Sequence, residues 1–256
     1  MRIGFFDSGI GGLTVLRQAM KIMPDEDYLF YADDLHLPYG EKSKEEVRQY
    51  IFEAARFIAS QGVKAIVVAC NTATSVAVAD LRRRYDFPIL GIEPAVKSAV
   101  QQNTGERKKV LVLATALTLK EEKFQNLVKR VDPEQVVDSL PLPGLVHYAE
   151  QLEFREAVVE PYLREQFSSL DMQQYGTIVL GCTHFPYFRS IVARLAASDA
   201  DIIDGSVGTA RHLKRLLEAR GPLGEGSGRI TFYRSGQQVE DVATLSSYNK
   251  LLELAD

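Results

Sequence analysis

The sequence holds only two cysteines in 256 residues, with no CxxC pair, no GxGxxG run and no stretch of about eighteen consecutive apolar residues. Each absence removes a class of function. Without CxxC spacing there is no thioredoxin-type redox pair and no zinc ribbon. Without the glycine fingerprint a dinucleotide is not supported. Without a long apolar run no helix is expected to span a membrane. The start, MRIGFFDSG, enters a strand and a glycine turn rather than a signal peptide, so the chain is expected in the cytoplasm. In that reducing compartment the two cysteines are not expected to pair as a structural disulfide. Basic residues are not in excess, with 30 Lys and Arg against 34 Asp and Glu and a formal charge of −4. Such a balance gives no general attraction to nucleic acid or to an anionic membrane, and the expected partner is a small molecule.

What remains is an ordinary globular composition, 46% apolar and 25% charged, long enough for one large domain or two of average size. Short apolar runs recur at Ile3 to Phe6, Tyr28 to Tyr31, Ala65 to Ala69, Ile89 to Ile92, Val110 to Ala114, Ile178 to Leu180 and Ile202 to Ile203. They read as strands buried on both faces. Helical periodicity lies between them, most clearly after Ser43, where Val47, Ile51, Ala54, Ala55 and Ile58 share a face and Ser43 and Glu46 form a capping box. Strands alternating with helices predict an α/β fold with mainly parallel sheets. The polar stretch Gln101 to Lys109 reads as a surface loop.

A strand–Cys–polar–polar–helix unit occurs twice, as Ile66-Val67-Val68-Ala69-Cys70-Asn71-Thr72 and as Ile178-Val179-Leu180-Gly181-Cys182-Thr183-His184. This points to two similar lobes, each placing a cysteine where the C-terminal end of a strand meets a helix, so that both thiols face one cleft. A lone cysteine in a Val-rich strand is ordinarily core packing. At a strand-to-helix junction, however, helix N–H groups favour a thiolate, and here the arrangement is repeated. His184 is placed to relay or orient the Cys182 proton, whereas His36, His147 and His212 have no such setting.

The turn Asp7-Ser8-Gly9-Ile10-Gly11-Gly12 reads either as a plain tight turn or as a cradle whose helix N-terminus receives a carboxylate. Asp7 itself is a site carboxylate or an N-cap. Asp33 to Gly40, with Pro38-Tyr39-Gly40, reads as a rigid turn whose backbone is available to a ligand. Glu93, ahead of Pro94, reads as a cap or a site residue, capping being the simpler reading. Two thiols without metal spacing suit a reaction needing a base on one side and an acid on the other. Racemisation of an amino acid has that symmetry, since one thiolate removes the weakly acidic Cα proton and the opposite thiol returns one.

The blocks FDSGIGGLTVL, PYG, ACNTATS, GIEPAVKSA and LGCTHFP stand in this order from Phe6 to Pro186, with a weaker continuation in Asp204-Gly205-Ser206 and Tyr233 to Gly236. In these the chain resembles the glutamate racemases of the aspartate/glutamate racemase superfamily. The resemblance implies a two-base racemase, free of pyridoxal or other cofactor and of metal, that supplies D-glutamate for peptidoglycan. It implies Cys70 and Cys182 as the catalytic pair, assisted by Asp7 and His184. It implies substrate contacts from Asp7, Ser8, Pro38, Tyr39, Gly40, Asn71, Thr72, Thr115, Thr118, Glu150, Thr183 and His184, with Asp33 near the site. It also implies a discontinuous first lobe of residues 1–93 and 205–256 and a second of 94–204, the crossings lying near Glu93 and Asp204, and a possible homodimer. Glu121 and Phe124 depart from the Ser and Tyr common in relatives, and Leu140 stands where many carry another cysteine. Three alternatives stay open: a racemase of another acidic amino acid such as aspartate, a cysteine-nucleophile acyl transferase or hydrolase using Cys182 and His184, and a non-catalytic amino-acid-binding module.

Overall fold

The apolar runs become strands because each is enclosed on both faces: all five residues of Tyr28–Ala32 are buried, as are five of six in Arg2–Asp7. The computed structural model describes residues 1–102 and 109–254. Its strands are β1 (Arg2–Asp7), β2 (Tyr28–Ala32), β3 (Val63–Val68), β4 (Ile89–Gly91), β5 (Lys109–Ala114), β6 (Val137–Pro141), β7 (Tyr175–Leu180), β8 (Asp201–Asp204), β9 (Ile230–Arg234) and β10 (Gln237–Gln238). They form a six-stranded sheet in the order β10-β9-β2-β1-β3-β4 and a four-stranded sheet in the order β6-β5-β7-β8. Every pairing is parallel except β9 with β10. The protein is therefore α/β, with two parallel-sheet lobes flanked by helices.

The lobes share a topology. The order β2-β1-β3-β4 in one is matched by β6-β5-β7-β8 in the other, the doubly wound arrangement in which strand order reverses between the first strand and the third. Loops leaving the C-terminal ends of strands on either side of that reversal splay apart and leave a crevice. β1 leads into Asp7 and Ser8 and β3 into Cys70, while β5 leads into Thr115 and β7 into Cys182. The two cysteines thus occupy equivalent places, and both lobes turn their crevices toward each other.

The capping box forms as the sequence predicts. Glu46 N donates to Ser43 Oγ at 3.3 Å, Ser43 N donates to Glu46 Oε2 at 3.1 Å, and the helix Lys44–Ser60 buries Val47, Ile51, Ala54, Ala55 and Ile58. Three strands have no counterpart among the predicted runs. β6, β9 and β10 lie at or beside sheet edges with partly exposed residues, so they lack a continuous apolar signature. Of the predicted loop Gln101 to Lys109, the ends belong to the helix Val96–Gln102 and to β5, and residues 103–108 lie outside the described residues.

Glu93 is not a cap. It is half-exposed and pairs with Lys123, because the helix after Pro94 begins only at Val96. The Asp204-Gly205-Ser206 motif serves the return crossing, where Asp204 Oδ1 accepts from Ser206 N at 2.7 Å and opens the helix Ser206–Glu218, which packs against the helix Leu13–Ile22 of the first lobe. Among the described residues no helix is long and apolar enough to cross a membrane.

Candidate active site

A cavity of about 400 Å³ lies between the lobes and is lined by both cysteines. Cys70 is 5% exposed and Cys182 7%, and neither is in a disulfide. Around them stand Ser8, Asn71 and Thr72 from the first lobe and Thr115, Thr183 and His184 from the second, with Pro38, Tyr39 and Gly40 closing one wall. The size suits a small organic ligand.

The two thiols are supported differently. Cys70 is the N-cap of the helix Asn71–Arg84, its sulfur accepting from Ala73 N at 3.4 Å and lying 3.7 Å from Ser8 Oγ. Burial pushes this thiol well above its ordinary range and the Asp7 charge pushes it further, against the opposing pull of the Ala73 N–H and the Ser8 hydroxyl. Cys70 is accordingly held as a thiol, and its thiolate is a strong base. Cys182 Sγ lies 3.6 Å from His184 Nδ1, and His184 Nε2 bonds Glu150 Oε1 at 2.5 Å. Ile10 N donates to the same carboxylate oxygen at 2.9 Å. Burial opposes a charge on His184, but its bonds to Cys182 and Glu150 prevail and hold the imidazole well above its ordinary pKa. A positive charge therefore sits beside the Cys182 sulfur.

Asp7, Thr118 and Glu150 stand behind the cavity lining rather than in it. Asp7 is fully buried, accepts from Gly9 N at 3.1 Å and from Thr183 Oγ1 at 3.3 Å, and is pushed up to about 6 by burial, against the pull of the His184 charge and the Gly9 and Gly12 N–H groups. Among the described residues no hydrogen bond joins it to Cys70, so its effect there is electrostatic. Thr118 is fully buried in a triangle of hydroxyls that crosses the cleft, 3.1 Å from Thr72 Oγ1 and 2.9 Å from Thr115 Oγ1, which are themselves 2.9 Å apart. Glu150 supports His184 from the outer side. The phenol of Tyr39 also faces away from a donor role, because its hydroxyl is given to Asp33 Oδ2 at 2.5 Å. What the Pro38-Tyr39-Gly40 segment offers the cavity is backbone and ring surface.

The glycine turn after β1 has a use different from the one read in the sequence. The first N–H groups of the following helix are satisfied within the turn, Leu13 N donating to the Ile10 carbonyl and Thr14 N to the Gly11 carbonyl. A Cβ at Gly9 would meet Glu150 Oε1 at 1.9 Å, and one at Gly11 would meet His184 Nδ1 at 2.6 Å. The glycines let the second lobe's Glu150 and His184 approach the backbone, and the anion received there is Glu150.

Of the histidines without a predicted setting, His36 bonds Asp33 at 2.8 Å and stacks on Tyr50, and His147 bonds Glu41 at 2.7 Å across the cleft. Sequence reasoning missed several lining residues: Glu41, Lys42, Ala116, Leu117, Lys120, Pro143 and Val146. Only their nearness to PYG and to Thr115 and Thr118 marked the first five.

The family model described as Asp/Glu/Hydantoin racemase matches residues 14–213. The chain belongs to the Asp/Glu/hydantoin racemase family. Among this family's characterised members, glutamate racemase 2 of Bacillus subtilis is 59% identical over 256 residues, covering 100% of this chain and 97% of that protein. A glutamate racemase of Halothermothrix orenii is 56% identical, with 99% of each chain covered. The crystal structure of glutamate racemase from Francisella tularensis in complex with D-glutamate superposes with a TM-score of 0.83 at 27% identity, over 98% of this chain and 93% of that one.

Proposed function

We propose that this enzyme, an amino-acid racemase, interconverts L- and D-glutamate without a cofactor through Cys70 and Cys182, and that the D-glutamate serves peptidoglycan synthesis. One observation carries the reading: two buried thiols, at equivalent strand ends of two lobes with the same topology, line one cavity.

In one direction the sulfur of Cys182, beside the positive His184, takes the Cα proton, and the Cys70 thiol delivers a proton to the opposite face. In the other direction the roles exchange: Cys70, made strongly basic by burial and Asp7, removes the proton and Cys182 returns one. Charge moving into the substrate's α-carboxylate meets neutral donors, with Asn71, Thr72, Thr115, Thr183 and Ser8 assigned this part. Asp7 and His184 assist as charged neighbours of the thiols, and Glu150 and Thr118 act as positioning residues from behind. The lobe division at Glu93 and Asp204, a homodimeric assembly and a cytoplasmic location belong to the same proposal.

The purified protein, treated with chelator and incubated with L-glutamate in D₂O without added cofactor, is expected to lose optical activity while deuterium enters at Cα. Failure of both glutamate and aspartate to exchange would overturn the reading; faster turnover of aspartate would reassign the substrate.

Glu150→Gln removes the anion that keeps His184 protonated while preserving a hydrogen-bonding group. Because the equilibrium constant of a racemisation is one, kcat/KM must fall by the same factor for both enantiomers, here about ten-fold. The pH–rate limb belonging to His184 should move to lower pH. A loss of activity with an unmoved profile would reduce Glu150 to a packing role.

A further inference from the structure

The groups around the two sulfurs are mostly neutral donors, whereas the cavity's outer lining carries two lysines, Lys42 and Lys120. They come from opposite lobes. Lys42 follows the 3-10 turn Tyr39–Glu41, and Lys120 ends the helix Ala116–Lys120, which packs against that turn across the cleft. Lys42 is half-buried and Lys120 exposed.

Neither lysine has an ion-pair partner among the described residues, in contrast to the nearby Lys44 and Lys123. The acids adjacent to them in sequence are already engaged. Glu41 Oε1 accepts from His147 Nε2 at 2.7 Å, and the buried Glu121 pairs with Lys44 at 2.7 Å. Both of these bonds cross from lobe to lobe and tie the lobes together, while Lys42, which also lies in the field of Glu46, and Lys120 line the cavity beside them.

We propose that Lys42 and Lys120 are specificity-determining residues, a cationic pair with one member per lobe that draws in the second carboxylate of an acidic amino acid and disfavours neutral side chains. The inference rests on the glutamate reading and deepens it. An α-amino acid with a neutral side chain has no net charge, so the pair gives it no net attraction. Glutamate is a net anion, and a low-dielectric cleft rimmed by cations raises its local concentration and its rate of productive entry. Charges at a solvent-accessible mouth are screened beyond about 8–10 Å at moderate ionic strength, so the contribution must fade with salt.

The test is steady-state kinetics on the Lys42→Gln/Lys120→Gln double variant of the full chain, with both enantiomers of glutamate and with glutamine as a neutral comparison. For glutamate kcat/KM should fall about ten-fold in both directions, mainly through KM, with kcat within about two-fold of the parent. The parent's kcat/KM should decline between about 20 mM and about 300 mM sodium chloride, and the double variant should lose most of that dependence. Any trace activity on glutamine should stay unchanged. The Lys42→Arg/Lys120→Arg variant, which keeps the charge, should restore both affinity and salt dependence. Unaltered kcat/KM with an unaltered salt response would overturn the inference, as would a loss confined to kcat. If the parent itself does not racemise glutamate, it is the glutamate reading that fails. Unchanged thermal unfolding of the double variant separates a binding effect from misfolding.

Discussion

Replacing either cysteine with alanine should reduce racemisation at least about a thousand-fold while leaving glutamate binding within a few-fold of the parent. The size follows from the arrangement. Each thiol is the base assigned to its side of the cavity; His184 beside Cys182 is held protonated and cannot replace it as a base, and no hydroxyl in the lining approaches thiolate basicity. The sharper consequence is directional. An enzyme with one thiol left can still take the Cα proton of one enantiomer, exchange it with solvent and return it to the same face. Cys70→Ala and Cys182→Ala should therefore wash out the α-proton of opposite enantiomers in D₂O without inverting either. Mass spectrometry of recovered, enantiomerically resolved glutamate reads this directly. Exchange of the same enantiomer by both variants, or retained racemisation in either, would remove the two-base mechanism.

How early these groups could be found depended on how local their signal is. Each cysteine announces itself within seven residues, because an apolar strand, a thiol and two polar residues opening a helix are contiguous in the chain. The duplicated order β2-β1-β3-β4 and β6-β5-β7-β8 is the structural form of that repetition. β6 and β9 were illegible for the opposite reason: strands at or beside a sheet edge are half-solvated, and their stability comes from ladders to distant partners rather than from a run of apolar residues. The site residues divide in the same way. Ser8, Asn71, Thr72 and Thr183 follow from lying within four residues of a strand end. That Glu150 reaches His184 and that Tyr39 gives its hydroxyl to Asp33 depend on how each lobe folds, and that Lys44 finds Glu121 depends on the lobes' mutual placement, with sequence separations of 34, 6 and 77 residues. No spacing rule encodes the pairing within the second lobe or the one between lobes. The glycines of the first turn are instructive because their presence was legible and their purpose was not. They admit Glu150 and His184 from the other lobe.

Asp7→Asn should make the protein more stable and the enzyme worse, and the gain in stability should depend on pH. Asp7 is fully buried, and burial raises its carboxyl from an ordinary 3.8 to about 6. Ionising it in the folded protein therefore costs roughly 3 kcal/mol relative to the unfolded chain. Below about pH 4 the group is protonated in both states and the cost is absent. Between about pH 4 and about pH 6 the unfolded chain gives up its proton while the native state keeps it, so the native state binds more protons and stability falls as pH rises. Above about pH 6 the full penalty applies. Asparagine keeps an oxygen for Gly9 N and turns a donor toward Thr183, so the hydrogen bonds at 3.1 and 3.3 Å can be satisfied without a charge. Denaturant unfolding should thus show little difference between the two proteins near pH 4 and a gain of about 1–3 kcal/mol for Asp7→Asn near pH 8. Over the same change kcat/KM should drop about ten- to a hundred-fold, because the charge that makes the Cys70 thiolate a strong base has gone. Asp7 is on this view a site where folding stability is given up for basicity at a neighbouring sulfur. A variant that is less stable than the parent at pH 8, or one whose stability difference is flat from pH 4 to pH 8, would show that Asp7 is held there for structure instead.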